Sequence, residues 1–349
     1  MRSRRALTAT VGIAAAASLA LAGCSSGSDA GGAEPSGSPA EGGADGFPVT
    51  IEHAFGETTI ESEPERVATW GWGSTEAAIA VGVFPVGVAE QVWTVGEQAL
   101  LPWVEEAYDT AGVEHPVIFT DPEGGASVPY EEFIEADPDV IVAPYSGLTE
   151  EQYDTLSEIA PVVAFPEAAW TTPWDETISI TAKALGRSAE GEKVLTDIQD
   201  FLASEAEAHP EFAGKTFAAI VDSPSEGLVY VYNSSDPRAG FLEGLGLEIA
   251  PAVDELDTSD GGFFYTLSYE ELDKLQSDLI VAYNYTPEEA EGFLTKPELQ
   301  AIPAVAAGKV AQVVGTVETS SVSPPTALSV TWPKGMPALV DSLATVLAQ

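Results

Sequence analysis

The chain alternates short apolar runs with longer stretches whose apolar positions recur every three or four residues. Its patterned region opens with FPVTIEHAF (47–55), then Gly56 and ETTI. Alternation on both sides of a glycine predicts a β-hairpin. RVATW (66–70) and FPVGVAE read as strands, with GWGSTEAAIAVG between them as a loop leading into a helix. Beyond these, YEEFIEADPD predicts a short helix, VIVAPY a buried strand, TEEQYDTLSEIA a helix and PVVAF a strand. Apolar strands alternating with helices predict parallel βα units, an α/β fold.

From 174 to 209 the pattern changes. Val194, Ile198, Phe201 and Leu202, with Leu195 beside them, recur at helical spacing with no proline. One uninterrupted helix there would reach about 45–50 Å. Gly186 and Gly191 mark two places where it could break. The alternation then restarts with KTFAAIVDS, GLVYVYN, the helix PRAGFLEGLG, YEELDKLQ and DLIVAYNY, and PALVDSLATVLAQ closes the chain as a helix. The expected division is an N-terminal lobe at 47–173, a connecting helix at 174–209 and a C-terminal lobe at 210–349. One stretch occurs twice. YEEFIEADPDVIVA starts at Tyr130 and YEELDKLQSDLIVA at Tyr269, and both keep a Tyr-Glu-Glu head, an Asp and Ile-Val-Ala at the same spacing. This repeat marks equivalent places in two lobes of similar construction.

The first 46 residues carry no such pattern. Residues 1–23 have a basic start, an Ala-rich apolar run and small residues before a cysteine, as a secretory signal does. Leu21-Ala22-Gly23-Cys24 resembles the bacterial lipobox, which implies cleavage before Cys24 and a lipid on its sulfur. Ser3-Arg4-Arg5 is a partial match to a twin-arginine signal. Residues 24–46 read as a disordered tether, because after Cys24 every residue to Gly46 is Ser, Gly, Ala, Pro, Asp or Glu. As a flexible coil the tether spans on the order of 25 Å. This places the folded body outside the cell, held to a membrane through the lipid.

Composition narrows the function. A length of 349 residues suits two lobes, and 45% hydrophobic content is enough to fill their cores. The formal net charge is −43, and three of the thirteen basic residues (Arg2, Arg4, Arg5) lie in the signal. Nucleic acid is excluded as a partner, since phosphate binding needs clustered Lys and Arg. Cys24 is the single cysteine and the three histidines (His53, His115, His209) are scattered, so no direct metal site is expected. Catalytic signatures are missing as well. GWGST has no glycine two residues after Ser74, and neither GxGxxG after a strand nor GxxxxGK[ST] occurs. No enzyme and no cofactor are expected.

Aromatic residues are the remaining candidates for chemistry. They offer broad contact area with a polar tip, which suits a bulky organic ligand. In open α/β lobes ligands bind at the carboxyl ends of the strands. That rule selects Trp70, Trp72, Trp93, Tyr145, Tyr232, Tyr283 and Tyr285. Arg238 joins them, where a loop enters a helix of the second lobe; a capping or surface role is the competing reading.

These segments carry a family likeness. HAFGETTIESEPERVATWGWGSTEAAIAVGVFPVGV resembles the opening of the ferric-siderophore-binding lipoproteins of bacterial ABC importers. YEEFIEADPDVIVAPYSGLTEEQYDTLSEIAPVVAFP resembles their next block, and AGKTFAAIVDS, DPRAGFLEGLGLEIAP and AIPAVAAGKVAQV follow in the same order. The resemblance covers residues 47–349 as a series of blocks. It implies two Rossmann-like lobes joined by a single long helix, with the ligand in the cleft between them. It implies a monomer that captures a ferric siderophore and delivers it to an ABC permease dimer. Tyr145 and Arg238 fall where relatives place ligand contacts, and Glu131 and Glu270 match the carboxylates that meet permease arginines. The scarcity of basic residues favours a hydroxamate chelate over an anionic one. Cobalamin or haem is the alternative ligand, and a lipoprotein that only docks to an envelope partner is the alternative class.

Overall fold

The computed structural model describes residues 46–91, 100–121 and 124–348. The β1 (Val49–His53) and β2 (Gly56–Ile60) strands form the expected antiparallel hairpin about Gly56. It is followed by β3 (Val67–Thr69), β4 (Gly87–Ala89), β5 (Val117–Phe119), β6 (Val140–Val142) and β7 (Val162–Val163). These five strands form an all-parallel sheet in the order β5-β4-β3-β6-β7. Alternate residues serve opposite faces. Ala68 and Ile141 join one buried cluster, while Val67, Val140 and Val142 join the other. Burial on both faces is why these strands read as unbroken apolar runs.

The second sheet holds β8 (Thr216–Ser223), β9 (Leu228–Tyr232), β10 (Glu248–Ile249), β11 (Phe264–Ser268), β12 (Leu279–Asn284) and β13 (Val310–Val314). Its order is β11-β9-β8-β12-β13, with β10 beside β8. Not all of it is parallel as the pattern predicts: β9 runs antiparallel to both β8 and β11. The reason is the short turn at 224–227, closed by Gly227 N–H on the Ser223 carbonyl. A parallel crossover needs a dozen or more residues.

The single helix expected over 174–209 is two helices, Trp174–Ala184 and Ser188–Ala208. The break falls at Gly186, which has φ +67°, and Arg187 N–H returns to the Ala182 carbonyl at 2.8 Å. A Cβ on Gly186 would stand 2.7 Å from the Phe47 ring, so backbone and packing both require glycine there. Gly191 stays inside the second helix. Trp174–Ala184 touches both lobes, placing Ile178 in a core cluster of the second and Ala182 in one of the first. The boundary at 210 is crossed again near the C-terminus. Val317, Leu328 and Trp332 pack against the first-lobe cluster containing Trp103 and Tyr108, before the helix Met336–Leu347 returns to the second-lobe core. Both sheets thus belong to one compact unit.

Candidate ligand-binding cleft

The loops that follow the parallel strands converge on a cavity of about 1140 Å³ between the lobes. Trp72 follows β3, Tyr145 follows β6 and Trp170 follows β7. Their rings form one wall, with centroids 5.9 Å apart for Trp72–Trp170 and 5.5 Å for Tyr145–Trp170. The second lobe supplies Tyr232 at the end of β9, Tyr283 in β12 and Tyr285 just beyond it. Tyr232 and Tyr283 meet edge to face at 6.1 Å. Tyr230, Phe263 and Phe264 continue this wall, paired at 5.4 and 4.9 Å. Burial raises the pKa of the Tyr145 and Tyr283 phenols and pushes Tyr285 up to about 12, so all three stay neutral at physiological pH.

The structure therefore brings together Trp72, Tyr145, Tyr232, Arg238, Tyr283 and Tyr285 from the residues selected by sequence. Trp70 is not among the lining. It is fully buried in the first-lobe core, edge-on to Phe133 at 5.8 Å. Its N–H still donates to the Val142 carbonyl, so strand pairing runs through it and its side chain stays on the helix-covered face. The chain turns at Gly71, which has φ +79°, and it is Trp72 beyond that turn that lines the cavity. Trp93 and Cys24 lie outside the described residues. The strand-end rule did not select Trp170, Tyr230, Phe263, Phe264 or Lys296, all of which line the cavity. Phe264 opens a strand whose alternation, FYTLS, is the one signal that could have found part of this group.

Among the described lining residues the cations are Arg238 and Lys296, and each has an aspartate of its own. Arg238 is 4% exposed; its Nε lies 2.6 Å from Asp236 Oδ1, and its guanidinium sits over the Tyr232 ring at 3.5 Å. Asp236 also caps the helix Pro237–Gly244 by accepting the Arg238 N–H at 2.9 Å, so capping and ion pairing occur together. Burial opposes the charge on Arg238, but the Asp236 carboxylate together with the surrounding Tyr232, Tyr283 and Tyr145 outweighs it and raises the pKa. Lys296 Nζ donates to Asp222 Oδ2 at 2.9 Å and to the Tyr269 hydroxyl. Burial opposes this charge too, and those two bonds overcome it. The carboxylates of Glu226, Glu288 and Glu289 also line the cavity. No His, Cys or Met is among the described lining residues.

Glu131 and Glu270 lie away from the cleft. Each is the second residue of its short helix, Tyr130–Ala136 and the 3-10 helix Tyr269–Lys274, and each is exposed. Their neighbours are tied down: Glu132 accepts from the Thr120 N–H at 2.7 Å, and Glu271 accepts from Lys274 at 2.8 Å.

Two βα lobes of this kind, with an aromatic cavity at the strand ends, are the architecture of a solute-binding protein. The chain belongs to the periplasmic binding protein family, whose model matches residues 67–313. It is 33% identical to PiaA of Streptococcus pneumoniae TIGR4, whose crystal structure in complex with ferrichrome superposes with a TM-score of 0.78 over 86% of this chain and 99% of that one. It is 26% identical over 246 residues to the probable siderophore-binding lipoprotein YfiY of Bacillus subtilis (strain 168), covering 69% of this chain and 70% of the relative. The achromobactin-binding periplasmic protein of Dickeya dadantii (strain 3937) is 31% identical over 137 residues, 39% of this chain and 40% of that protein.

Proposed function

We propose that this protein captures a ferric siderophore, of the neutral hydroxamate type, in the cleft between its lobes and delivers it to an ABC permease. The observation that carries the reading is the lining itself: two aromatic walls, and cations already neutralised by Asp236 and Asp222. A tri-anionic catecholate or citrate complex would meet three further carboxylates there and no uncommitted cation among the described lining residues. The similarity to a protein crystallised with ferrichrome supports the same ligand class. Iron in such a complex carries its own oxygen ligands, so the protein supplies shape, apolar contact and a few hydrogen bonds rather than coordination or catalysis. The lipid on Cys24 would hold the body at the outer face of the membrane, and Glu131 and Glu270 would meet the permease.

The test is a tryptophan-fluorescence titration with ferrichrome, a ferric tris-catecholate, ferric citrate, haem and cobalamin. Trp72 and Trp170 stand in the wall and report occupancy directly. Saturable quenching by ferrichrome at sub-micromolar concentration, with weaker response to the anionic complexes, is the expected result. Preference for haem or cobalamin would overturn the ligand, and no saturable response at all would favour a lipoprotein that only docks.

A further inference from the structure

Lys296 lines the cleft but is not available to it. Its Nζ is held on both oxygens of Asp222, at 2.9 and 3.2 Å, and on the Tyr269 hydroxyl, which itself donates to Asp222 at 2.7 Å. The Tyr269 ring lies 4.2 Å from the ammonium as a further cation contact. Asp222 and Lys296 are both cleft-lining and mostly shielded, with side-chain exposures of 13% and 20%. Three elements meet at this point: Asp222 is the penultimate residue of β8, the 3-10 helix Tyr269–Lys274 brings the tyrosine, and Lys296 caps the helix Pro287–Thr295. The other cleft cation, Arg238, is 4% exposed and lies over the Tyr232 ring, which leaves Lys296 as the more exposed of the two.

We infer that Asp222 is a specificity-determining residue: it withholds the Lys296 ammonium from the cleft and so sets the preference for uncharged ferric chelates. The inference rests on the siderophore reading above and adds the residue that enforces it. An anionic chelate approaching this point meets a neutral pair, and drawing Lys296 out would break its bonds to a partly buried aspartate, leaving that carboxylate unpaired. A neutral chelate asks for no such rearrangement. The selectivity therefore acts against the wrong ligand more than for the right one.

Asp222→Asn keeps the shape and the Tyr269 bond but removes the charge that holds Lys296. Wild type, D222N, K296M and D222N/K296M are titrated with ferrichrome as the neutral probe and with ferric tris-catecholate and ferric citrate as anionic probes. In D222N the ratio of anionic to neutral affinity should rise about tenfold, as expected for one charge-assisted hydrogen bond gained by the ligand. Adding K296M should abolish the rise. An unchanged ratio in D222N, or an equal loss for all probes as a merely structural pin would give, overturns the inference. So does a rise that persists in the double variant, since Lys296 would not be its source. Binding of no chelate by wild type removes the siderophore reading and this inference together, whereas wild-type binding with an unchanged ratio removes this inference alone.

Discussion

Trp170 stands at φ +62°, a left-handed backbone that a bulky residue adopts only when its surroundings hold it there. Its N–H donates to the Ser146 carbonyl at 3.1 Å, and its indole lies across Gly147, where a Cβ would come 2.7 Å from Cε2. Gly147→Ala is therefore expected to displace the ring and strain the loop by about 1–3 kcal/mol. Ligand affinity measured by calorimetry should fall roughly tenfold; unchanged affinity would mean that Trp170 contributes no contact. None of this shows in the sequence, where Trp170 follows EAA in a segment with no strand pattern. Lys296 was unreadable for a related reason, since a lysine after a helix looks the same whether it faces water or Asp222. Trp70 misled because the sequence does not show that the chain turns only after it, at the left-handed Gly71.

Another single residue links pH to stability. His53 is 7% exposed, its Nδ1 accepts the Phe55 N–H at 3.3 Å, and its Nε2 lies 2.9 Å from the Thr58 hydroxyl, which donates to the Val162 carbonyl. The proton thus sits on Nε2 of a neutral ring, and burial lowers the pKa. A pKa depressed on folding contributes stability above the unfolded value of about 6.5 and loses it as pH falls through the folded one. Melting temperatures followed from about pH 7.5 to 5 should drop more for wild type than for His53→Gln; equal slopes would show that His53 does not contribute.

At the scale of elements, the repeated Tyr-Glu-Glu block separates folding from function position by position. Its fourth residue is core in both copies, Phe133 and Leu272 being fully buried. Its aspartate pins the following strand to its neighbour: Asp139 accepts the Glu65 and Arg66 N–H groups ahead of β3, and Asp278 accepts the Thr216 N–H at the start of β8. Burial and register explain those identities. They do not explain Glu131 and Glu270, which are exposed in both lobes although one helix is α and the other 3-10. Equivalent carboxylates on similar lobes suit two equivalent basic pockets of a two-fold permease. Glu131→Ala and Glu270→Ala should each weaken the permease complex by roughly tenfold while siderophore affinity stays unchanged. Normal uptake by the double variant would reduce both to helix N-terminal acids. The repeat, the hairpin and the strands of the first lobe were legible because apolar periodicity reports burial. The antiparallel β9 was not, and the choice between Gly186 and Gly191 for the helix break was left open, since direction and helix continuity turn on a turn's length and one residue's φ.

Over the whole molecule, the question is how firmly the two lobes hold the cleft between them. Three segments bridge the lobes: the helix Trp174–Ala184, the helix Ser188–Ala208, whose Ile198 and Leu202 enter the second-lobe core, and the segment near 317–332. The last of these bridges is a polar and aromatic clamp. Trp332 packs on Trp103 at 5.3 Å, and Trp103 Nε1 donates to Glu76 at 3.1 Å. Glu76 is 3% exposed, and burial raises its pKa. Any hinge opening at this clamp would separate the indole pair and wet a carboxyl that now has its partners inside the protein. Ligand binding is therefore expected to leave the radius of gyration near the value of about 19 Å for a compact body of this size, within error by small-angle scattering. Trp332→Ala removes the clamp from the C-terminal side. Because Trp332 is only half-buried, the cost should be about 2–3 kcal/mol, below that of a fully buried tryptophan. Hydrogen exchange should quicken in the helix Pro102–Ala111 and around Glu76 while β8 and β12 stay protected. Uniform acceleration across both sheets would show that Trp332 serves global stability instead, and unchanged exchange would show that the two helices alone fix the lobes.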